Sequence, residues 1–223
     1  MINLLSNLKI AVPENIFIKD PESSDLGKRI IEHSILLIDE IGFDSFTFKK
    51  LGAVIESNES SIYRYFESKH KLLVYLSSWY WAWMEYQLVF TTQNISDAEE
   101  KLKMAIEIVA RIVGQDSNFS HIDEVALSRI IINESSKSYL TIDVDAENRE
   151  GYFKIYKRLV SRISQMIQQV NPNYKYPSSL ASTITDGALH QHFLKDHFKS
   201  ITDCNDDVSP AEFFVQLSLN AIK

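Results

Sequence analysis

From residue 25 onward the apolar side chains of this chain recur at i, i+3 and i+4, with almost no period-two alternation. That spacing lines one face of a helix and would scatter over both faces of a strand, so it restricts the chain to an all-α fold. Breakers are scarce, with 6 glycines and 5 prolines in 223 residues. The beginning of the chain stands apart, because Ile10, Val12, Ile16 and Ile18 alternate with polar neighbours around Pro13 and before Pro21. This pattern predicts an extended arm over residues 1–24.

Local signals then mark out the helices. The first opens near Asp25, buries Ile31, Ile35 and Ile38, and stops at Gly42, where a left-handed backbone costs least; Phe43 falls where the usual apolar clasp sits. A short second helix runs from Thr47, its N-cap, to Ile55, with Leu51, Val54 and Ile55 facing inward. Asn58 caps a third whose buried pair is Ile62 and Phe66, and Ser68 caps a fourth. Further amphipathic helices carry Leu102, Ile106 and Val109, then Val125 and Ile130, then the run from Tyr156 to Val170. After the Asn171-Pro172 break, two more fit residues 178–200 and 210–222, with Pro210 in the first turn of the last. The expected total is about nine helices.

Bulk properties narrow the function. A chain that is 45% hydrophobic buries a core without disulfides, and Cys204 has no second cysteine to pair with. With no charged-then-apolar leader, the expected setting is soluble and cytoplasmic. The apolar run Leu72 to Phe90 has the length of a membrane span, but Ser77, Ser78, Glu85 and Gln87 interrupt it. A carboxylate in lipid costs about 2.5 kcal/mol or more, so the run reads as the centre of a helical bundle and no membrane partner is expected. The formal charge of -7 means that any nucleic-acid contact must be local.

Two short helices joined by a tight connection and braced by a third form a helix-turn-helix, whose second helix enters the major groove. With Ile62 and Phe66 pointing inward, Ser60 and Arg64 lie opposite the core, and Ser61 and Tyr63 lie on the flanks. Those four are the expected DNA-facing residues.

The run Phe46-Thr47-Phe48-Lys49-Lys50-Leu51 through Ser61-Ile62-Tyr63-Arg64-Tyr65-Phe66-Glu67-Ser68-Lys69-His70-Lys71-Leu72-Leu73 resembles the DNA-binding signature of TetR/AcrR-family transcriptional regulators, and Ile41-Gly42-Phe43 resembles that family's first-helix ending. The likeness covers residues 28–75, about a fifth of the chain. It implies a TetR-like architecture: an arm (1–24), a three-helix DNA-binding domain (25–72) and a C-terminal helical bundle (73–223) that binds ligand and dimerises. By the same resemblance Thr47, Lys49, Tyr63, Tyr65 and Lys69 grip phosphates, which leaves Ser60, Ser61 and Arg64 to read bases. One departure is acidic: the turn reads Glu56-Ser57-Asn58-Glu59, where the family usually has glycine. Residues 25–72 hold seven basic side chains (Lys28, Arg29, Lys49, Lys50, Arg64, Lys69, Lys71) against eight acidic (Asp25, Glu32, Asp39, Glu40, Asp44, Glu56, Glu59, Glu67), so non-specific DNA affinity should be weak.

In the bundle, the aromatic density from Trp79 to Tyr86 suggests an apolar pocket for a hydrophobic small-molecule effector, with Trp79, Trp83 and Tyr86 as candidate ligand residues. Ordinary core packing is the alternative use for these rings. Ile184-Thr185-Asp186-Gly187-Ala188-Leu189 resembles a family feature in the penultimate helix, which implies a two-fold homodimer interface of Leu189, Phe193, Phe198, Phe213, Phe214 and Leu217. His190, His192 and His197 lack the i, i+3 or i, i+4 spacing of metal ligands on one helix, and no cofactor is expected. No nucleophile-base pair or phosphate-cradling glycine loop points to an enzyme. The expectation is therefore a DNA-binding repressor released by its effector; the rival is a helical sensor or partner-binding protein of the same fold without DNA binding.

Overall fold

The computed structural model describes residues 10–111, 114 and 121–223. Among them, the α-helices in chain order are α1 (Asp25–Ile41), α2 (Phe48–Val54), α3 (Glu59–Tyr63), α4 (Lys69–Thr92), α5 (Ala98–Ala110), α6 (Glu124–Glu134), α7 (Ser136–Tyr139), α8 (Val144–Glu150), α9 (Lys154–Val170), α10 (Pro177–His197) and α11 (Pro210–Ala221). The surplus over the expected number comes from α7 and α8, a single turn and a two-turn helix too short for periodicity to reveal. No described residue lies in a strand. The residues divide into two compact units, 1–80 with 113–154 and 81–112 with 155–223.

The first unit contains the helix-turn-helix. Ser24 caps α1, its hydroxyl accepting the Gly27 N–H at 3.2 Å, and Ile30, Ile31, Ile35 and Ile38 are fully buried along one face. The helix ends at Gly42, with φ 76°, where the Gly42 N–H still reaches the Ile38 carbonyl at 2.9 Å. The unit is larger than the expected 25–72, because α6 packs on α1. Glu134 accepts the Phe43 N–H at 3.1 Å, and Arg129 pairs with Asp39 at 2.6 Å. Sequence adjacency assigns these residues to the bundle, whereas contacts some 90 positions apart in the chain bring them here. The arm is also less extended than expected: Glu14–Ile16 and Pro21–Ser23 form 3-10 turns, and Ile16 is buried while Ile18 is exposed. Its first nine residues lie outside those described.

The second unit is built from the later part of α4 with α5, α9, α10 and α11. Burial along α9 follows the helical period through Ile155, Leu159, Ile163 and Ile167. Glu85 on α4 is buried, and both of its partners come from α9: Arg158 Nε at 2.7 Å and Arg162 Nε at 2.6 Å. Burial pushes this carboxyl up, but the two guanidiniums outweigh burial and hold it below the usual carboxylate range.

His192 on α10 is buried and donates from Nε2 to the Ala110 carbonyl at the end of α5, at 2.9 Å. Burial pulls the imidazole below its ordinary value of 6.5, opposed by that hydrogen bond; Lys195 lowers it further and Asp196 raises it. Because the folded state binds the proton less readily than the unfolded chain, this residue's contribution to stability is complete above pH 6.5 and is lost as pH falls below it. Thermal denaturation from about pH 7.5 down to about 5.5 should therefore show a falling midpoint, with a slope of at most about 1.4 kcal/mol per pH unit from this group. His192→Gln, which keeps an N–H donor but does not titrate, should flatten that slope.

Candidate nucleic-acid interface

The second and third helices meet through a connection with little room. A Cβ on Gly52 of α2 would lie 2.7 Å from the Ser57 carbonyl oxygen, so only glycine lets the turn fold back this closely. The Ser57 N–H returns to the Gly52 carbonyl at 2.8 Å. Glu56 takes φ 51°, a left-handed backbone that a side chain with a Cβ adopts at a cost of about 1–2 kcal/mol. Glu56→Gly should relieve this strain and, after the entropy that glycine loses, stabilise the protein by about 0.5–1 kcal/mol in chemical denaturation. It also removes an exposed carboxylate from the turn that leads into α3, so DNA affinity at low salt should rise.

On α3, Ile62 is fully buried and so is Phe66 just beyond it, packed edge-on against Tyr75 with ring centroids 5.3 Å apart. Ser60, Tyr63 and Arg64 are exposed and Ser61 is half-buried. Tyr63 is steadied by the Phe48 ring, 5.0 Å away and edge-on. Asn58 stands at the N-cap position without a side-chain capping bond; the Ser61 N–H goes to its carbonyl, at 2.9 Å. At the head of α2, Thr47 accepts the Lys50 N–H at 3.2 Å, and Thr47 and Lys49 are both exposed. Val54, expected to face inward, is about half exposed instead, since it falls on the last turn of so short a helix.

Two of the expected phosphate-gripping residues are occupied within the protein. Lys69 Nζ donates to the carbonyls of Phe43, Asp44 and Phe46 at 3.0, 3.1 and 3.1 Å, and it sits over the Phe43 ring. It thereby ties the start of α4 to the loop before α2. Tyr65 is only 4% exposed, and its hydroxyl shares a hydrogen bond with Ser24 at 2.8 Å and accepts from Lys19 Nζ at 3.2 Å. The Ser24 bond, reinforced by the charges of Lys19 and Arg64, holds this phenol below its ordinary value against the effect of burial.

Among the candidate effector residues, Trp79 and Trp83 are buried to 2% exposure, as core side chains are. Tyr86 is half-buried and stacks on Phe90 with centroids 6.0 Å apart. Within the second unit a cleft of about 690 Å³ is lined by Thr91, Met104, Glu107, Ile108, Arg111 and Val215 among others, and by none of those three aromatics. Sequence reasoning missed it because its walls come from three separated helices.

The six candidate interface residues also divide. Leu189 and Phe214 are buried, and Phe214 packs so closely on α10 that a Cβ at Gly187 would lie 2.6 Å from its ring. Phe198, Phe213 and Leu217 are 53%, 43% and 38% exposed, and Phe193 is half-buried against His197 and Phe198. Among the described residues, no three His, Cys, Asp or Glu side chains gather as a metal site, and no helix is long and apolar enough to cross a membrane.

No family model matches the chain, and no curated protein is similar to it in sequence. Solved structures are similar in fold. AibR in complex with isovaleryl coenzyme A and operator DNA matches with a TM-score of 0.57 at 17% identity, covering 85% of this chain and 97% of that one. The TetR-family transcriptional regulator PfmR from Thermus thermophilus matches with a TM-score of 0.56 at 15% identity, covering 87% and 97%. The superantigen PfiT matches equally well, with a TM-score of 0.56 at 17% identity over 91% and 97%. The chain therefore has the all-α fold of the TetR-type regulators.

Proposed function

We propose that the protein is a DNA-binding transcriptional regulator of the cytoplasm, a repressor that grips a palindromic operator as a homodimer and is released by a hydrophobic small-molecule effector. The observation that carries this reading is the division of α3: Ile62 is fully buried while Ser60, Tyr63 and Arg64 stand exposed on the other side. Hydroxyls and a guanidinium on one exposed helix face are the groups that read base edges in a major groove. Thr47 and Lys49, exposed at the head of α2, supply phosphate contacts that fix register, while Lys69 and Tyr65 act from within by holding the helices in place.

One short helix reads too few base pairs to find an operator, so two copies are needed, and the outward Phe198, Phe213 and Leu217 are the apolar surface by which they pair. The effector site belongs to the second unit, where the cleft beside Thr91 and Ile108 has the volume of a small-molecule pocket. Trp79, Trp83 and Tyr86 stay candidate ligand residues. AibR, which shares the fold, was solved with an acyl-CoA and operator DNA together, and that pairing supports a ligand-responsive reading here.

A second reading keeps the fold and drops the DNA. It is favoured by Glu56 and Glu59 at the turn and by a superantigen among the structures of this fold, since fold alone does not fix function. Fluorescence anisotropy at low salt on the duplex upstream of the protein's own coding region separates the two. Saturable binding that an unrelated duplex of equal length does not match supports the regulator; equal, weak binding to both supports the sensor.

A further inference from the structure

The arm ends beside the recognition helix. The Ile18 N–H donates to the Tyr65 carbonyl at 2.8 Å, directly after α3, and buried Ile16 anchors the segment behind it. This contact places Lys19 over the Tyr65 ring, 5.0 Å from its centroid, with Nζ on the phenol oxygen at 3.2 Å. The side chain is exposed, and its partners are neutral: a π face and a hydroxyl. Neighbouring carboxylates are engaged elsewhere, Asp20 with the Glu22 N–H at 2.9 Å and Glu22 with His121 at 2.8 Å. By contrast, Arg129 and Lys137 in the same unit are paired with carboxylates at the surface.

We propose that Lys19 is a further DNA-backbone contact, an ammonium fixed by Tyr65 at the end of the recognition helix so that it meets a phosphate next to the bases that Arg64 reads. This inference rests on the regulator reading. An exposed lysine normally gives up much rotamer freedom when it grips an anion. Here the ring and hydroxyl have already ordered it, and neither of them cancels its positive charge. The arm thereby supplies the phosphate grip that Tyr65, turned inward, does not make.

The test compares full-length wild type, Lys19→Gln and Lys19→Arg on the duplex that wild type enriches from a randomised pool, with affinity measured by anisotropy from low to moderate salt. One lost phosphate contact removes about 0.9 from the slope of log affinity against log salt. The expected result is a Lys19→Gln slope shallower by about one, weaker binding on all duplexes alike, and a wild-type slope for Lys19→Arg. If Lys19 serves only to hold Tyr65, Lys19→Gln lowers the thermal midpoint and affinity but leaves the slope unchanged, which overturns the inference while the regulator reading stands. An unchanged slope with unchanged stability overturns it too. If wild type enriches no duplex, the regulator reading itself fails, and this one with it.

Discussion

Phe66→Ala is expected to cost about 3–5 kcal/mol, the range for deleting a fully buried phenylalanine. That is a large share of the roughly 5–15 kcal/mol typical of a domain. The ring is completely buried, edge-on to Tyr75, and its own N–H completes the last turn of α3 on the Ile62 carbonyl at 3.1 Å. With the ring gone, neither the packing beneath α3 nor the contact that seats α4 against it survives intact. Urea denaturation followed by circular dichroism should show a midpoint shift without a change in slope. DNA binding should fall with the folded fraction, and a stabilising osmolyte should restore part of it.

Arg64→Ala should do the opposite. Its side chain is exposed, so stability should change by less than about 0.5 kcal/mol. Specific DNA affinity should drop by about 1–3 kcal/mol, roughly 5- to 150-fold, with discrimination relaxed at one base pair of each half-site. Binding to unrelated DNA should weaken much less. A variant that bound its selected duplex as tightly as wild type would reduce Arg64 to a solvated surface arginine. Together the two substitutions separate the two faces of one short helix and its C-terminal turn: one face for stability, the other for recognition.

Much of this arrangement is legible in the sequence because its determinants are local. Gly42 ends α1, Thr47 and Ser68 accept the N–H groups at the starts of α2 and α4, and Pro210 opens α11, each readable within a few residues. The inward pair Ile62 and Phe66 follows from helical period alone. What is not legible depends on contacts far apart in the chain. Tyr65 turns inward because Ser24 and Lys19 meet its hydroxyl, across 41 and 46 positions. Glu134 joins the first unit by accepting the Phe43 N–H across 91 positions. Phe213 and Phe214 are adjacent and equally apolar, yet one faces out and the other packs on Gly187, a choice set by the register of α11 on α10. Trp79 and Trp83 illustrate the limit of composition, which does not distinguish a ring that fills a core from one that lines a cavity.

Sequencing the DNA that the full-length protein retains from a randomised duplex pool at low salt tests the central claim most directly. If the free side of α3 meets a groove in two copies at once, the retained molecules converge on an inverted repeat whose half-site centres lie about one helical turn, roughly 34–36 Å, or a multiple of it apart. A pool that stays random through successive rounds would contradict the account.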